Sequence, residues 1–561
     1  MVKSEQILAK RRGRRTNPNV KEEIDKIVAP DSNRKDLLIE YLHVIQDRYG
    51  FIDSEHIGAL ANLMKLSLSE VFEVATFYHH FNVVESGSNA SSKEVIRVCD
   101  SITCALFDSE NLLSDIKKEA VCANYEIHRV SCVGRCNEAP VASFGKNTIG
   151  HASVESILEA IKNNVVEPEL PEPECFDSYY EKGGYRIYKE CLEGRRTAEQ
   201  IIDTLSKSNL RGLGGAGFPA WKKWEIVRSH PGTRFLVVNI DEGEPGTFKD
   251  RYHLEREPHK FLEGMLIAAW AISASCCYIY LRDEYAGCRI SLESEINKLI
   301  QNLECHIPEI ELRRGAGAYI CGEESALIES IEGKRGIPRL RPPYIAEKGL
   351  FGKPTLAHNM ETLHWIRDII EKSPHWFGRQ GKKGLKGLRS YSVSGRVKKP
   401  GVYLAPAGTS AQELIQEYCG GMLEGHTFYG FFPGGASGGI LPAAKADLPL
   451  DFDTLSDTGC FIGSAAIIIL SSSDKAKTSA LNAMRFFARE SCGQCTPCRV
   501  GTEKAVSLMS RSEWNTALLK DLATVMEDSS ICGLGQAASN PLRSVLRHFK
   551  NELTECEQND N

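Results

Sequence analysis

The sequence predicts a multidomain protein of the α/β class. Its length of 561 residues exceeds the roughly 100–200 residues of one ordinary domain, so about three to five domains are expected. A helical hydrophobic period runs from Leu37 to Ile45, whereas the apolar run Phe235 to Val238 is typical of a buried strand. A Pro- and Glu-rich segment, Val166 to Cys175, predicts a linker between an N-terminal part and a longer C-terminal part.

Composition excludes several functional classes. The net charge of -6 argues against nucleic-acid binding, and no apolar signal segment follows Met1. The longest apolar stretch, Met265 to Leu281, is shorter than the roughly 20 residues of a membrane span, and we interpret it as a buried helix at 262–272 and a strand at 278–281. The basic run Lys10 to Arg15 predicts a disordered arm, with a transit peptide as the alternative. We therefore expect a soluble, cytoplasmic protein without nucleic-acid or membrane partners.

The 19 cysteines are clustered, which favours metal ligation over disulfides in a chain without a signal peptide. Cys492, Cys495 and Cys498 have the C-x2-C-x2-C spacing that wraps one face of an iron–sulfur cubane. Cys532, beyond a predicted helical hairpin, is the candidate fourth ligand. This set predicts a [4Fe–4S] cluster. The alternative is a zinc site, because zinc accepts the same thiolates.

A second cysteine set lies nearer the N-terminus, in two pairs that each follow a predicted strand. Cys99 and Cys104 form one pair, and Cys132 and Cys136 form the other. Two loops could present these four thiolates to a [2Fe–2S] cluster. The alternative, a thioredoxin-like thiol redox site, needs a C-x-x-C motif that this stretch lacks.

Between the two cysteine sets lie segments suited to an anionic cofactor. The Gly-rich run from Arg211 to Phe218, with Lys223 shortly after it, lets backbone N–H groups approach a phosphate, although a structural turn would explain the glycines as well. Two acidic segments, 239–250 and 315–324, supply carboxylates at predicted strand and helix ends. They could bind ribose hydroxyls and a flavin edge, whereas the alternative is that Glu323 and Glu324 only complement a helix dipole.

These motifs resemble those of a known family. Residues 211–218, 241–250, 315–324 and 490–498 resemble the NADH-binding flavoprotein subunit of respiratory complex I, and residues 20–165 resemble its [2Fe–2S] subunit. The chain is therefore similar to a fusion of the two. Segments 434–442, 447–455 and 532–540 are most similar to the beta subunit of NAD-dependent, molybdopterin-type formate dehydrogenase. The alternatives are the diaphorase subunit of an NAD-reducing nickel–iron hydrogenase and a fused complex I NADH module.

The resemblance also implies the domains and linking segments of the chain and their order. They are a disordered basic arm at 1–19, a helical bundle at 20–88, a thioredoxin-like [2Fe–2S] domain at 93–165, a linker at 166–176, a Rossmann-like FMN/NAD(H)-binding α/β domain at 177–386, a small β-grasp (SLBB-like) domain at 387–472 and a helical [4Fe–4S] domain at 473–561.

The resemblance also implies the residues that hold the cofactors. FMN is expected to contact Gly212, Gly214, Gly215, Lys223, Asn239, Asp241, Glu242, Gly322, Glu323, Glu324 and Asn359. NAD(H) is expected to contact Phe218, Glu244, Arg341 and Tyr344. Four positions depart from the family pattern: Leu213 replaces an arginine, Ile226 an aromatic residue, Ile240 a small residue and His358 an asparagine.

The implied reaction follows from cofactor chemistry. A flavin exchanges a hydride with a nicotinamide and single electrons with iron–sulfur clusters, so no side chain is expected to act as a catalytic acid or base. The implied partner is the alpha subunit of a formate dehydrogenase, which would hold a molybdenum or tungsten pterin and further clusters. No formate site or pterin motif is visible in this chain, which would therefore be the NAD+-reducing half of the enzyme.

Overall fold

The computed structural model describes residues 17–28, 34–84, 94–119, 121 and 124–554. The basic run expected to form an arm, Lys10 to Arg15, lies outside these residues. The chain divides into two compact units, one of residues 1–93 with 329–335 and the other of residues 94–328 with 336–561.

The first unit is helical. Asp53 accepts hydrogen bonds from the backbone of Glu55 and His56, and Ser67 accepts one from Glu70, so two of its helices begin at side-chain caps. The apolar stripe of the predicted helix is buried, with Leu42 and Ile45 fully enclosed. The helices are α1 (Pro18–Val28), α2 (Leu38–Tyr49), α3 (Ser54–Met64) and α4 (Leu68–Phe77).

The second unit begins with a four-stranded sheet in the order β2-β1-β3-β4. Strands β1 and β2 are parallel, with Cys99 opposite Val130, so the segments that follow their carboxyl ends lie side by side. One face of the sheet buries Ile96, Val98 and Phe144 against Ile157. The elements are β1 (Val95–Cys99), α5 (Ile102–Leu106), α6 (Ser109–Ile116), β2 (Glu126–Val130), β3 (Ala142–Phe144), β4 (Asn147–Ile149) and α7 (Val154–Lys162).

The linker after α7 contacts the rest of the chain at three points. Its first residue, Val166, accepts a hydrogen bond from Lys146 N at 2.8 Å, and Glu174 N donates to Arg256 O at 2.8 Å. Between them, a Cβ on Gly287 would lie 2.2 Å from Glu169 O, so the linker backbone lies directly on a helix that only glycine allows it to approach.

A parallel sheet in the order β7-β6-β5-β8 forms the centre of the second unit. Its strands are β5 (Arg234–Ile240), β6 (Ala274–Leu281), β7 (Glu309–Arg314) and β8 (Thr355–Asn359). The helices around it are α8 (Phe176–Glu181), α9 (Arg186–Leu192), α10 (Ala198–Ser208), α11 (Ala220–Ser229), α12 (Lys249–Leu254), α13 (Pro258–Ile272), α14 (Ala286–Asn302), α15 (Glu324–Ile331), α16 (Ile345–Lys348), α17 (Met360–His364), α18 (Ile366–Lys372) and α19 (Pro374–Gly378). The predicted helix at 262–272 and strand at 278–281 lie within α13 and β6.

A five-stranded mixed sheet follows, in the order β10-β9-β13-β11-β12, with β9 and β13 parallel. Its elements are β9 (Leu388–Gly395), β10 (Gly401–Pro406), α20 (Ala411–Glu413), β11 (Phe428–Phe432), β12 (Leu441–Pro442) and β13 (Ala466–Ser471). The chain then becomes helical, with α21 (Ala476–Arg489), α22 (Thr496–Met509), α23 (Thr516–Ser529), α24 (Gly533–Ala537), α25 (Asn540–His548) and α26 (Asn551–Thr554).

The predicted α/β multidomain class is confirmed by these three sheets and their helices. In the part of the chain that the structure describes, no helix is both long enough and apolar enough to cross a membrane.

Candidate functional site

The central sheet creates a crevice at the carboxyl ends of β5 and β8. The chain runs from β5 outward through β6 and β7, then returns to place β8 on the other side of β5. Ligands of open α/β sheets gather at such a reversal of strand order. Asn239 and Asn359 face each other across this point as register partners, and Asn239 Nδ2 donates to Gly322 O at 2.8 Å. Both asparagines are among the predicted flavin contacts.

The Gly-rich loop lies against the same crevice. Gly212 N donates to Phe218 O at 2.8 Å and closes the loop. A Cβ on Gly214 would lie 2.8 Å from the Cβ of Asn359, so glycine is required for this approach to the end of β8. Gly215 has a φ of +132°, a conformation that residues with a side chain rarely adopt. The loop therefore presents backbone, with few side-chain atoms, toward the crevice.

One carboxylate remains available to a ligand in the crevice. Asp241 is the residue that directly follows β5. Among the described residues, its Oδ2 is buried and has no hydrogen-bond partner. Burial raises the pKa of Asp241 well above its usual range. A Cβ on Gly322 would lie 3.3 Å from Asp241 O, so the two predicted flavin residues adjoin. An unpartnered acceptor beside a glycine fits a hydroxyl group of FMN.

A buried ionic network fixes the orientation of Asn359. Its Nδ2 donates to Asp250 Oδ2 at 2.6 Å, and its Oδ1 accepts from Glu361 N at 3.1 Å at the start of α17. Lys249 Nζ lies 3.0 Å from Asp250 and 2.9 Å from Glu361, all three side chains being buried. The sequence motifs assign no role to Lys249 or Glu361.

Glu242, predicted to contact FMN, is engaged by protein groups. Its two oxygens accept from Asp250 N at 2.9 Å and Arg251 N at 3.2 Å, and Tyr285 donates its hydroxyl at 2.8 Å. Burial raises the pKa of Glu242 to about 7, and the neighbouring Asp250 carboxylate adds to the effect. Any influence of this carboxyl group on a flavin would therefore act through the position of α12.

A charged group borders the crevice on the side of α15. Glu323 accepts from Ala326 N at 3.0 Å at the start of this helix, and the Arg341 guanidinium contacts Glu323 and also Glu324, the latter at 3.2 Å. Lys223 Nζ lies 3.1 Å from Glu324. The structure thus brings four predicted cofactor residues together. The two glutamates also lie at the N-terminus of α15, so the alternative interpretation, that they complement the helix dipole, agrees with the structure as well.

The predicted nicotinamide residues divide into exposed and buried members. Phe218 is 39% exposed and Tyr344 58% exposed, so both rings have free faces on which an adenine could stack. Glu244 is buried, accepts from Ser437 N at 2.7 Å and is bonded to the Tyr319 hydroxyl. Each oxygen of Glu244 therefore already accepts one hydrogen bond from the protein. The sequence motifs gave Tyr319 no role.

The four departures from the family pattern lie in two environments. Leu213 and Ile240 are buried in the main apolar core, whereas Ile226 is 37% exposed on α11. His358 accepts a hydrogen bond from Trp224 Nε1 at 2.8 Å, and burial lowers its pKa to about 3. It is therefore a neutral hydrogen-bond acceptor on β8 that pairs with a tryptophan of α11.

The N-terminal cysteine set converges at the end of the first sheet of this unit. Cys99 ends β1, Cys104 lies in α5, and Cys132 and Cys136 flank the loop that follows β2. All four thiols are buried, and the sulfurs of Cys132 and Cys136 are 3.3 Å apart. Hydrogen bonds with the Cys104 and Cys132 thiols, together with burial, raise the pKa of Cys99. The two predicted pairs form one site.

The C-terminal cysteine set also converges. Cys492, Cys495 and Cys498 surround the start of α22, and Cys532 precedes α24. Burial raises the pKa of Cys498 to about 12, and the negative charge of the other three thiolates adds to the effect. Because metal binding deprotonates thiols, a bound cluster would remove the protons that burial favours.

Residues beside the ligands join the two cysteine sites. Arg489 contacts Asp100, which follows Cys99, at 2.7 Å and 2.9 Å. Glu490 accepts from Ser131 Oγ at 2.6 Å and from Tyr319 N at 3.0 Å, so it contacts the segment before Cys132 and the segment at the flavin crevice. Ion pairs and hydrogen bonds therefore hold both cysteine sites and the crevice in one arrangement.

Comparison with known proteins agrees with this geometry. Models of four families match: Nuo51 FMN-binding domain at 205–368, thioredoxin-like [2Fe–2S] ferredoxin at 24–164, NADH-ubiquinone oxidoreductase-F iron–sulfur binding region at 478–556 and SLBB domain at 390–441.

Individual relatives and a solved structure support the same family assignment. The second F subunit of NADH-quinone oxidoreductase in Rhizobium meliloti is 39% identical over 69% of this chain and 95% of its own. The corresponding F subunit of Aquifex aeolicus is 40% identical over 68% of this chain and 91% of its own. A chain of an NAD+-reducing [NiFe]-hydrogenase in the H2-reduced state superposes with a TM-score of 0.82 at 28% identity, over 94% of both chains.

Fold and site together define a flavin- and iron–sulfur-containing NADH oxidoreductase subunit. The chain belongs to the family of the NADH-quinone oxidoreductase F subunits, extended by a thioredoxin-like [2Fe–2S] region. The predicted cofactor classes, FMN, NAD(H), a [2Fe–2S] cluster and a [4Fe–4S] cluster, are confirmed, as are the thioredoxin-like and SLBB folds.

Proposed function

We propose that this chain is the NAD+-reducing diaphorase subunit of a larger oxidoreductase and that a separate subunit oxidises the electron donor. The observation that carries the proposal is the link between the three sites: Glu490 contacts both the Cys132 segment and the crevice segment, and it lies two residues before Cys492. When bound, FMN supplies the exchange between hydride and single-electron chemistry.

The residues of the chain would bind and orient in this reaction. The Gly214 backbone and Asn359 would form the floor beneath the flavin, and Asp241 would accept hydrogen bonds from its hydroxyl groups. The rings of Phe218 and Tyr344 would hold the nicotinamide cofactor by stacking. These contacts position two rings against each other, and close positioning accounts for a large part of the rate of such reactions.

The coupled substrate distinguishes two versions of the proposal. Formate is supported by the local resemblance of segments 434–442 and 532–540 to the beta subunit of a formate dehydrogenase. Hydrogen is supported by the similarity to the hydrogenase chain, which extends over 94% of both chains, whereas the Rhizobium meliloti relative matches 69% of this chain. The longer similarity favours the hydrogenase version, and formate is retained as the second candidate.

The core of the proposal is tested on the purified chain loaded with FMN and both clusters. We expect NADH to reduce the flavin and an added one-electron acceptor, because the crevice and both cysteine sites belong to one compact unit. Fully loaded protein that NADH does not reduce would overturn the proposal.

The coupled substrate is tested on the complex isolated from its natural source. Nickel in a co-purifying subunit and hydrogen-dependent formation of NADH would support the hydrogenase version. Molybdenum or tungsten with formate-dependent formation of NADH would instead support the formate version. Either measurement decides between the two without altering this chain.

A further inference from the structure

A compact group of potential metal ligands lies apart from the cysteine sites. It consists of His253 near the end of α12, Glu257 in the turn before α13, and His364 at the end of α17. One ligand atom from each lies within 4.8 Å of the other two, and the two imidazole rings are 4.2 Å apart between centroids. This His-His-Glu group has no part in the reaction proposed above.

Both histidines are buried with a ring nitrogen that lacks a partner. His253 is 4% exposed and His364 2% exposed. Among the described residues, Nδ1 of His253 and Nδ1 of His364 are both buried without a hydrogen bond. A buried ring nitrogen without a partner is rare and costly, so Nδ1 of His253, whose other ring nitrogen contacts Ser390, indicates a missing partner.

The surrounding contacts leave the group ready for a cation. His253 Nε2 lies 2.8 Å from Ser390 Oγ, which fixes the orientation of its ring. Glu257 uses Oε1 for Lys260 at 2.6 Å, while its Oε2 faces His364 Nε2 at 3.9 Å. That separation is too long for a hydrogen bond but close to the roughly 3.3 Å between two ligands of one tetrahedral zinc ion.

We propose that His253, His364 and Glu257 bind a divalent transition-metal ion of the Zn2+ type. Two imidazoles and one carboxylate are a common three-ligand set for zinc, and a fourth position is completed by water. The Glu257 side chain is 38% exposed, so an ion and a water molecule can reach the site from solvent.

The location gives the ion a structural role. Helix α12 carries Asp250 and α17 begins beside Asn359, the two residues that pair at the edge of the crevice. These helices have only six and five residues, and helices this short are unstable without outside support. An ion held at their far ends would fix them to each other, and thereby fix the pair that lies against the Gly-rich loop.

The test measures zinc and iron in the full-length chain purified with its clusters. We expect about one zinc per chain in the unaltered protein, and its loss in Glu257→Gln and in His364→Ala, with iron unchanged. Glu257→Gln lies at a partly exposed turn, so it tests the ligand set even where His364→Ala impairs folding. His306→Ala, which alters an exposed histidine elsewhere, is the matched control and should retain zinc.

Cobalt gives a second measurement that does not depend on activity. Co2+ added after zinc has been removed, with both clusters intact, should produce additional visible absorption in the unaltered protein and in His306→Ala, but not in Glu257→Gln. Zinc that remains in both ligand variants overturns the proposal. An unaltered protein that takes up neither zinc nor cobalt overturns it as well, since the histidines would then be a buried pair without an ion.

Discussion

Replacement of Gly214 by alanine tests the close approach of the Gly-rich loop to β8. The added Cβ would lie 2.8 Å from the Cβ of Asn359 and 3.5 Å from its Cγ. Carbon atoms in ordinary contact are about 3.5–4.0 Å apart, so the overlap is roughly 0.7–1.2 Å. Asn359 cannot yield easily, because it is bonded to Asp250 and to the start of α17. The loop must therefore move away from β8, into the space proposed for FMN.

The expected magnitude follows from the cost of overpacking. Inserting a methyl group into a filled site costs about 1–3 kcal/mol. If this cost falls on the FMN-bound state, affinity for FMN decreases by about 5- to 140-fold, since about 1.4 kcal/mol corresponds to tenfold. Metal content should not change, because the substitution leaves the eight cysteines in place.

The assay is titration of flavin-free protein with FMN, followed by the quenching of flavin fluorescence. Gly378→Ala is the control, because its Cβ would meet only Lys386 Cδ at 3.9 Å and lies outside the crevice. Unchanged affinity in Gly214→Ala, with unchanged melting of the flavin-free protein, would refute the reasoning that this contact shapes the pocket.

Three further outcomes are expected. Cys492→Ser should abolish the EPR signal of the [4Fe–4S] cluster and keep that of the [2Fe–2S] cluster, whereas Cys132→Ser should do the reverse; loss of the same signal in both would contradict the assignment. Phe218→Ala should raise KM for NADH by about 2- to 13-fold with little change in kcat, from the loss of about 0.5–1.5 kcal/mol of stacking. The exposed ring of Phe72 provides the control, and an equal effect of Phe72→Ala would count against a specific contact. Because burial raises the pKa of Glu242 to about 7, the folded chain keeps a proton that the unfolded chain releases above its usual pKa, so the free energy of unfolding should fall as pH rises toward 7 and level off above it. Denaturant unfolding from pH 5 to pH 8 should show this fall to be smaller in Glu242→Gln, and an identical pH dependence would contradict the raised pKa.

Features encoded by short-range spacing could be predicted from the sequence. The cluster cysteines follow strands or begin helices at fixed intervals, so Cys492, Cys495 and Cys498 are recognisable without a fold. The helix at 262–272 is predicted from its apolar period, but the structure starts α13 at Pro258, because proline is favoured at the first position of a helix.

Features that depend on distant pairings could not be predicted. Lys249 and Glu361 meet only because β5 and β8 are neighbours in the sheet, and the motif that contains Lys249 gives no sign of this partner. Glu242 illustrates the opposite case: its motif points to the flavin, whereas the fold directs its oxygens to α12 and Tyr285. The coupled substrate is out of reach for a different reason, since the proposed function leaves its oxidation to a separate subunit.

The packed linker has a consequence for the speed of the electron exchange. A linker without contacts would let the domains at its two ends move relative to each other. Here the chain from Val166 to Glu174 is fastened at both ends and lies on Gly287 between them. A bulky residue at Gly287 would push the linker backbone at Glu169 away from α14. The linker contacts therefore restrain the [2Fe–2S] site relative to the flavin crevice, and we expect electron exchange between the two to need no domain motion.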